Sequence, residues 1–249
     1  MIRGVNISKS FGETKVLKNV SVCFEPGVTN LIIGQSGSGK TVLMKCLLGL
    51  FDVDEGDVFF DERNFSKMTV EEKKLLRQEI GMVFQGGALF DSMTVEENVM
   101  FPLNMYTNQT PKEKIDRVNF CLERVNLEDV NKLFPAEISG GMKKRVAIAR
   151  AIAMKPKYLF CDEPNSGLDP LTAIVIDKLI SEITKEYNIT TIINTHDMNS
   201  VMEIGDKIAF IYFGELWWEG SHKDIMNTEN KEINEFVYAT ELTKLLKKL

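Results

Sequence analysis

The sequence predicts an α/β fold: apolar strands alternating with helices, a small antiparallel β lobe ahead of them, and an α-helical block inserted among them. Three observations predict it. The apolar run Leu31-Ile32-Ile33 leads through a glycine-rich turn into the helical stretch Val42–Leu48. Further apolar strands recur at residues 80–85, 157–164 and 190–197, each ending in polar or charged side chains. Between the first two of these, residues 94–153 show helical rather than β-type spacing.

The chain has 249 residues, of which 44% are hydrophobic and 27% charged, enough for one sizeable α/β domain or for two that share a core. Its formal net charge of -6 argues against a general nucleic-acid binder, which needs clustered positive charge to displace counterions. The four cysteines, Cys23, Cys46, Cys121 and Cys161, are far apart and form no CxxC pair. They read as buried thiols of a reducing compartment. The N-terminal residues lack a signal-peptide apolar region, and no apolar run is long enough to span a bilayer. A function at a membrane would therefore need a partner to supply the spans.

Taken in order, Ile2–Asn6 and Val16–Phe24 have the spacing of short strands, separated by the turn Ser10-Phe11-Gly12-Glu13. Phe11 is either a stacking platform for a base or a turn aromatic that caps the sheet. The turn after the apolar run is Gly34-Gln35-Ser36-Gly37-Ser38-Gly39-Lys40-Thr41, the spacing of a phosphate-binding loop. In such a loop Gly34, Ser36, Gly37 and Gly39 let backbone N–H groups curl around phosphate oxygens at a helix N-terminus. Lys40 then reaches the β- and γ-phosphates, and Thr41 holds Mg²⁺.

The charged stretch 70–78 reads as a solvated helix, and Ile80–Gln85 as a strand whose last residue, Gln85, sits where open α/β sheets place ligand contacts. Inside the helical block, Ser139-Gly140-Gly141 opens a helix, either as a second phosphate site or as an ordinary serine cap. The strand Lys157–Cys161 ends in Asp162 and Glu163, adjacent acids that suit Mg²⁺ ordering and polarisation of an attacking water, respectively, or else form a charged turn. His196 closes the run from Thr190, placed either to contact a γ-phosphate or to serve as a satisfied hydrogen-bonding residue. A hairpin is expected around Gly214-Glu215, and a helical tail from Ile233 to Leu249.

Together these residues give the chain a family likeness. It resembles an ATP-binding cassette (ABC) ATPase along nearly its whole length. The phosphate loop, Gln85, Ser139-Gly140-Gly141, Asp162-Glu163, Ser166-Gly167-Leu168-Asp169 and His196 occur in that family's order and approximate spacing. The resemblance implies a P-loop NTPase fold: a RecA-like core with a β lobe (residues 1–89 and 157–225), a helical subdomain (90–156) and a tail (226–249). It also implies ATP hydrolysis with ATP and Mg²⁺ as cofactors. Phe11 then stacks on adenine, Gln85 joins Mg²⁺ to the membrane-partner interface, Asp169 joins the nucleotide-binding set, and His196 senses the γ-phosphate. Catalysis falls to Glu163, His196, Lys40 and Gln85, and the metal to Thr41, Gln85 and Asp162.

In the same family, Ser139, Gly140 and Gly141 form the signature that binds the γ-phosphate held by a second copy, so a head-to-tail homodimer is implied. Here Met142 stands where that signature usually has Gln, and a side-chain amide contact is lost. This form, with residues 85–95 and Thr195–Ser200, resembles the ATPases of Mla-type phospholipid transporters. That second likeness implies a permease and a mammalian-cell-entry (MCE) lipid-binding protein as partners, with the ATPase on the cytoplasmic face of the inner membrane. The alternatives are an importer cassette for a small polar solute and a non-transport regulator of a cell-division complex.

Overall fold

A computed structural model describes residues 1–238; the second half of the expected tail, residues 239–249, lies outside them. Strands β1 (Ile2–Phe11) and β2 (Thr14–Phe24) form a hairpin that turns at Gly12. β1 runs longer than its side-chain alternation suggests. Asn6 takes a left-handed φ of 52° where the register with β2 shifts, so the strand continues through a bulge that breaks the period of two. Phe11 is therefore the last residue of a strand.

β3 (Thr29–Ile33) is buried throughout and feeds the phosphate loop and α1 (Lys40–Leu47). β4 (Glu55–Phe60) and β5 (Arg63–Asn64) follow, then α2 (Val70–Arg77) and β6 (Ile80–Val83). The inserted helices are α3 (Val95–Tyr106), α4 (Pro111–Arg124) and α5 (Gly140–Ile152). Three helices start with the same device. Thr69 with Glu72, Thr94 with Glu97, and Thr110 with Glu113 form reciprocal capping boxes that satisfy backbone donors left over at a helix start.

β7 (Tyr158–Asp162), α6 (Pro170–Glu186), β8 (Thr190–Asn194), α7 (Met198–Ile204), β9 (Lys207–Tyr212) and β10 (Glu215–Gly220) complete the core. β8 stops at Asn194, so His196 stands in the loop beyond the strand. α8 (His222–Asn227) and α9 (Lys231–Val237) follow. α7 and α8 are too short for helical periodicity to register in the sequence, whereas α9 overlaps the start of the expected tail.

β2-β1-β4-β5 make one antiparallel sheet, and β10-β9-β3-β8-β7-β6 the other. Within the second sheet, β6, β7, β8, β3 and β9 are parallel and β10 is an antiparallel edge. Alternate residues of these strands enter different cores. Leu31, Ile33, Leu159, Cys161, Ile208 and Phe210 pack with the helical block and α6. Ile32, Tyr158, Phe160, Ala209 and Ile211 pack with α1 and the β lobe. The parallel sheet is thus covered on both faces, and its strand ends are what remain for chemistry.

Cys46, Cys121 and Cys161 are buried, and burial pushes the thiols of Cys46 and Cys121 up to about 11. Cys23, expected to be buried, is only half-buried, because β2 presents it on the less covered face of the antiparallel lobe. Phe160 is fully buried on β7, one strand in from the β6 edge of the sheet. Phe160→Ala should lower unfolding stability by about 3–5 kcal/mol, seen as a lower denaturant midpoint at unchanged m.

Candidate active site

Gly34, Gly37 and Gly39 carry φ values of 146°, 78° and 106°, which L side chains rarely adopt. At Gly34 space is also lacking. A Cβ there would lie 2.2 Å from the carbonyl oxygen of Ile211 and 2.8 Å from Ser38 Oγ. Gly39 is the N-cap of α1 and supplies no side-chain cap, so the first N–H groups of that helix face the loop. Lys40 folds back over it, donating from Nζ to the carbonyls of Gly34 (2.8 Å) and Gln35 (2.9 Å).

Lys40 is only 7% exposed and, among the described residues, ion-pairs with no carboxylate. Burial lowers its pKa, while the charges of Glu163 and Asp162 act to keep it protonated. Ser38 Oγ is also buried, without a hydrogen-bond partner among the described residues. Ser36 and Gly37 line the pocket above the loop together with Gln35, Ser38, Tyr212 and Phe213. A desolvated ammonium, an orphaned hydroxyl and uncapped N–H groups around one loop fit an anion such as a phosphate chain.

Across from the loop, Asp162 ends β7 and Glu163 follows with a left-handed φ of 46°. A glutamate in that conformation is strained, and it is held by a hydrogen bond from its N–H to the carbonyl of Asn194 (2.9 Å). Asn194 also donates from Nδ2 to Asp162 Oδ1 (2.7 Å) and Thr41 Oγ1 (3.2 Å), which draws those two oxygens to one side chain. The Glu163 carboxylate is held at both oxygens. Gln85 Nε2 donates to Oε2 (3.1 Å), and the Nδ1 of His196 lies 2.8 Å from Oε1. A neutral imidazole with its proton on Nδ1 donates there.

No three His, Cys, Asp or Glu side chains among the described residues could hold a metal by themselves. Thr41, Asp162 and Gln85 would instead supply a few oxygens beside nucleotide phosphates, the way Mg²⁺ is usually held.

Gln85 also ties this cluster to the helical block. Lys144 of α5, almost fully buried, donates from Nζ to the Gln85 carbonyl. Arg150 donates to the carbonyls of Gly87 (2.7 Å) and Ala88 (2.8 Å). Asn98 of α3 brackets Phe90 by accepting from its N–H (2.8 Å) and donating to its carbonyl (3.1 Å). The sequence drew attention to none of Lys144, Asn98 and Asn194. Asn194 carried a usable signal, a polar residue ending an apolar strand, but the other two looked like ordinary helix residues.

Five expected site residues do not join the cluster. Ser139 caps its own helix, accepting from the Met142 N–H (3.2 Å), and Gly140 and Gly141 open α5 beside Leu168 and Thr172. Phe11 is 45% exposed and meets Phe51 edge-on at 5.3 Å, with the Lys9 ammonium 5.6 Å from its ring centroid. Asp169 is occupied as the N-cap of α6. It accepts from the N–H (3.1 Å) and hydroxyl (2.5 Å) of Thr172, bonds that hold its carboxyl below the usual range. Its carboxylate thus caps a helix start.

The space around Gly34 gives a direct test. Gly34→Ala should weaken binding of a fluorescent ATP analogue about tenfold or more, the equivalent of ~1.4 kcal/mol. Gly37→Ala, which meets no atom within 4 Å and adds only left-handed strain, should be the milder change.

Comparison with known proteins agrees with this geometry. A family profile described as "ABC transporter" matches residues 17–166. The methionine import ATP-binding protein MetN of Clostridium tetani is 40% identical, over 97% of this chain and 76% of that protein. The probable ribonucleotide transport ATP-binding protein mkl of Mycobacterium leprae is 33% identical, over 93% of this chain and 67% of that protein. Among solved structures, cbiO1 of Clostridium perfringens, part of an ABC transporter complex, superposes with a TM-score of 0.84 at 30% identity. It covers 99% of this chain and 98% of its own. The cassette MJ0796, solved as a post-hydrolysis dimer bound to ADP and Pi, gives 0.80 at 32% identity, covering 89% and 99%. With its phosphate loop facing a clasped Glu163, the chain belongs to the ABC transporter family and is an ATPase that uses ATP and Mg²⁺.

Proposed function

We propose that this ATPase energises an importer for a small polar solute, by ATP-dependent closure of a head-to-tail homodimer beneath an integral-membrane permease. The observation that carries the solute class is the 40% identity to a methionine import ATPase across nearly the whole chain. Bound ATP supplies the phosphoryl group and Mg²⁺ offsets its charge. Lys40 would meet the phosphates, and Thr41, Asp162 and Gln85 would hold Mg²⁺. Glu163 accepts a proton from water, and His196 keeps that carboxylate aimed. Ser139, Gly140 and Gly141 face the loop of the second copy, which is why they stand apart from it within one chain. Phe11 offers its open face to adenine.

Among the described residues no helix is long and apolar enough to cross a membrane. This fits a subunit that reaches the cytoplasmic face of the inner membrane through its permease. The loop from Gln85 to Met93 is the natural contact, because it is bonded to Glu163 at one end and to α3 and α5 along its length. A second reading, phospholipid transport with an MCE-domain partner, rests on Met142 in the signature and on the run Thr195–Ser200.

Glu163→Gln should cut kcat by about 10²-fold or more and, with ATP and Mg²⁺, trap a dimer visible by light scattering. A variant that stayed monomeric would sink the closure mechanism. Purification of the tagged chain from solubilised membranes should bring down an integral-membrane protein. A solute-binding protein beside it supports import, an MCE protein supports the lipid reading, and a division-complex protein would displace both.

A further inference from the structure

Just beyond the two loops that carry Glu163 and His196 lies a buried polar cluster to which the reaction assigns no part. Asn165, two residues after Glu163, donates from Nδ2 to Ser200 Oγ at 2.7 Å and to Asp177 Oδ2 at 3.2 Å. The same nitrogen lies 3.5 Å from Asp177 Oδ1 and from Asp197 Oδ2. The Ser200 hydroxyl acts to lower the pKa of the Asp177 carboxyl. Asn165, Asp177 and Ser200 are 7%, 2% and 1% exposed. The triangle joins the loop after β7, the middle of α6 and the first turn of α7. That turn is capped by Asp197, the residue after His196.

Asp177 is an expensive residue to keep there. No cation pairs with it among the described residues, and Asp197 and Glu203 add like charge. Burial foremost pushes its carboxyl up to about 6. A purely structural site under α6 would be filled more stably by an apolar side chain of similar volume. The cluster's placement supplies a reason for it. The Glu163 backbone is strained at a φ of 46° and turns back through the Ser166 N–H to Glu163 carbonyl bond (3.1 Å), so Asn165 sits inside that turn. Across the gap, Ser200 and Asp197 set where α7 begins and hence where His196 stands.

We propose that Asp177 is a positioning residue of the ATPase site: through Asn165 and Ser200 it locks the Glu163 loop to the His196 loop and keeps the Glu163–His196 contact aligned. The inference rests on the assignment of Glu163 and His196 above. Asp177 touches no reacting atom. It acts by fixing the distance between two loops, and misplacement by about 1 Å can cost on the order of 10²-fold in rate.

The test compares steady-state ATP hydrolysis by the full-length chain with Asn165→Ala, Ser200→Ala, Asp177→Ala, Asp177→Asn and the Asn165→Ala/Asp177→Ala double variant. Asn165→Ala and Asp177→Ala should each lower kcat about 10- to 100-fold, with KM for ATP changed by less than about twofold. The double variant should be no worse than the more impaired single one, because both break one connection. Asp177→Asn, which keeps an acceptor oxygen, should recover part of the lost kcat. If Asp177→Ala does not fold, Asn165→Ala and Ser200→Ala decide the matter by the same kcat-against-KM split. Near-normal kcat, a loss expressed in KM, or additive losses in the double variant would overturn the proposal. Glu163→Gln and His196→Ala run beside them separate the two levels. If these hydrolyse ATP normally the site assignment is at fault, and if they are inactive while the Asp177 cluster variants turn over normally, only this inference fails.

Discussion

The buried ammonium of Lys40 is the constraint on which the site depends. A lysine charge taken out of water is costly unless something replaces its hydration. Two backbone carbonyls of its own loop do part of this, and the field of Asp162 and Glu163 at the neighbouring strand end does more. The arrangement leaves a positive centre under a ring of backbone N–H groups, stable enough to persist and unsatisfied enough to favour a phosphate. The same loop holds Gly34, Gly37 and Gly39 in dihedrals that L side chains rarely adopt.

The acids facing it are placed by strain and by one amide. Glu163 holds a backbone conformation that a glutamate would not choose in isolation, and Asn194 of the adjacent strand secures it through its carbonyl. The side chain of that residue gathers Asp162 and Thr41. One position at the end of β8 thus aligns the phosphate loop, Asp162 and Glu163. The Asn165, Asp177 and Ser200 triangle lies behind them and connects the two loops from which Glu163 and His196 project.

The same carboxylate also leads outward. Gln85 reads Glu163 with its side chain, while its carbonyl is held by Lys144, and the following residues are held by Arg150 and Asn98. A change at Glu163 therefore has a continuous bonded route into α5, the helix that begins at Ser139. This is what a device needs if phosphate chemistry in one half is to move a helical block against a partner.

Much was legible before any coordinates. The glycine spacing from Gly34 to Thr41 defines its own loop, since few residues tolerate those dihedrals. The helical spacing of residues 94–153 announces the inserted helices through a period set within a few residues. Apolar runs mark the strands because both faces of the parallel sheet are covered. All of these are local constraints. What tertiary structure alone decided lies at long range: Asn194 meets Thr41 across 153 positions, Gln85 meets Glu163 across 78, and Lys144 finds a carbonyl 59 residues away. It also decided that Asp169 is spent on a helix cap, that Cys23 is half-buried, and that β1 passes through a bulge at Asn6. Side-chain periodicity and spacing report which residues share a face. They do not report which faces meet, because that is set by the packing of the whole sheet and its two cores.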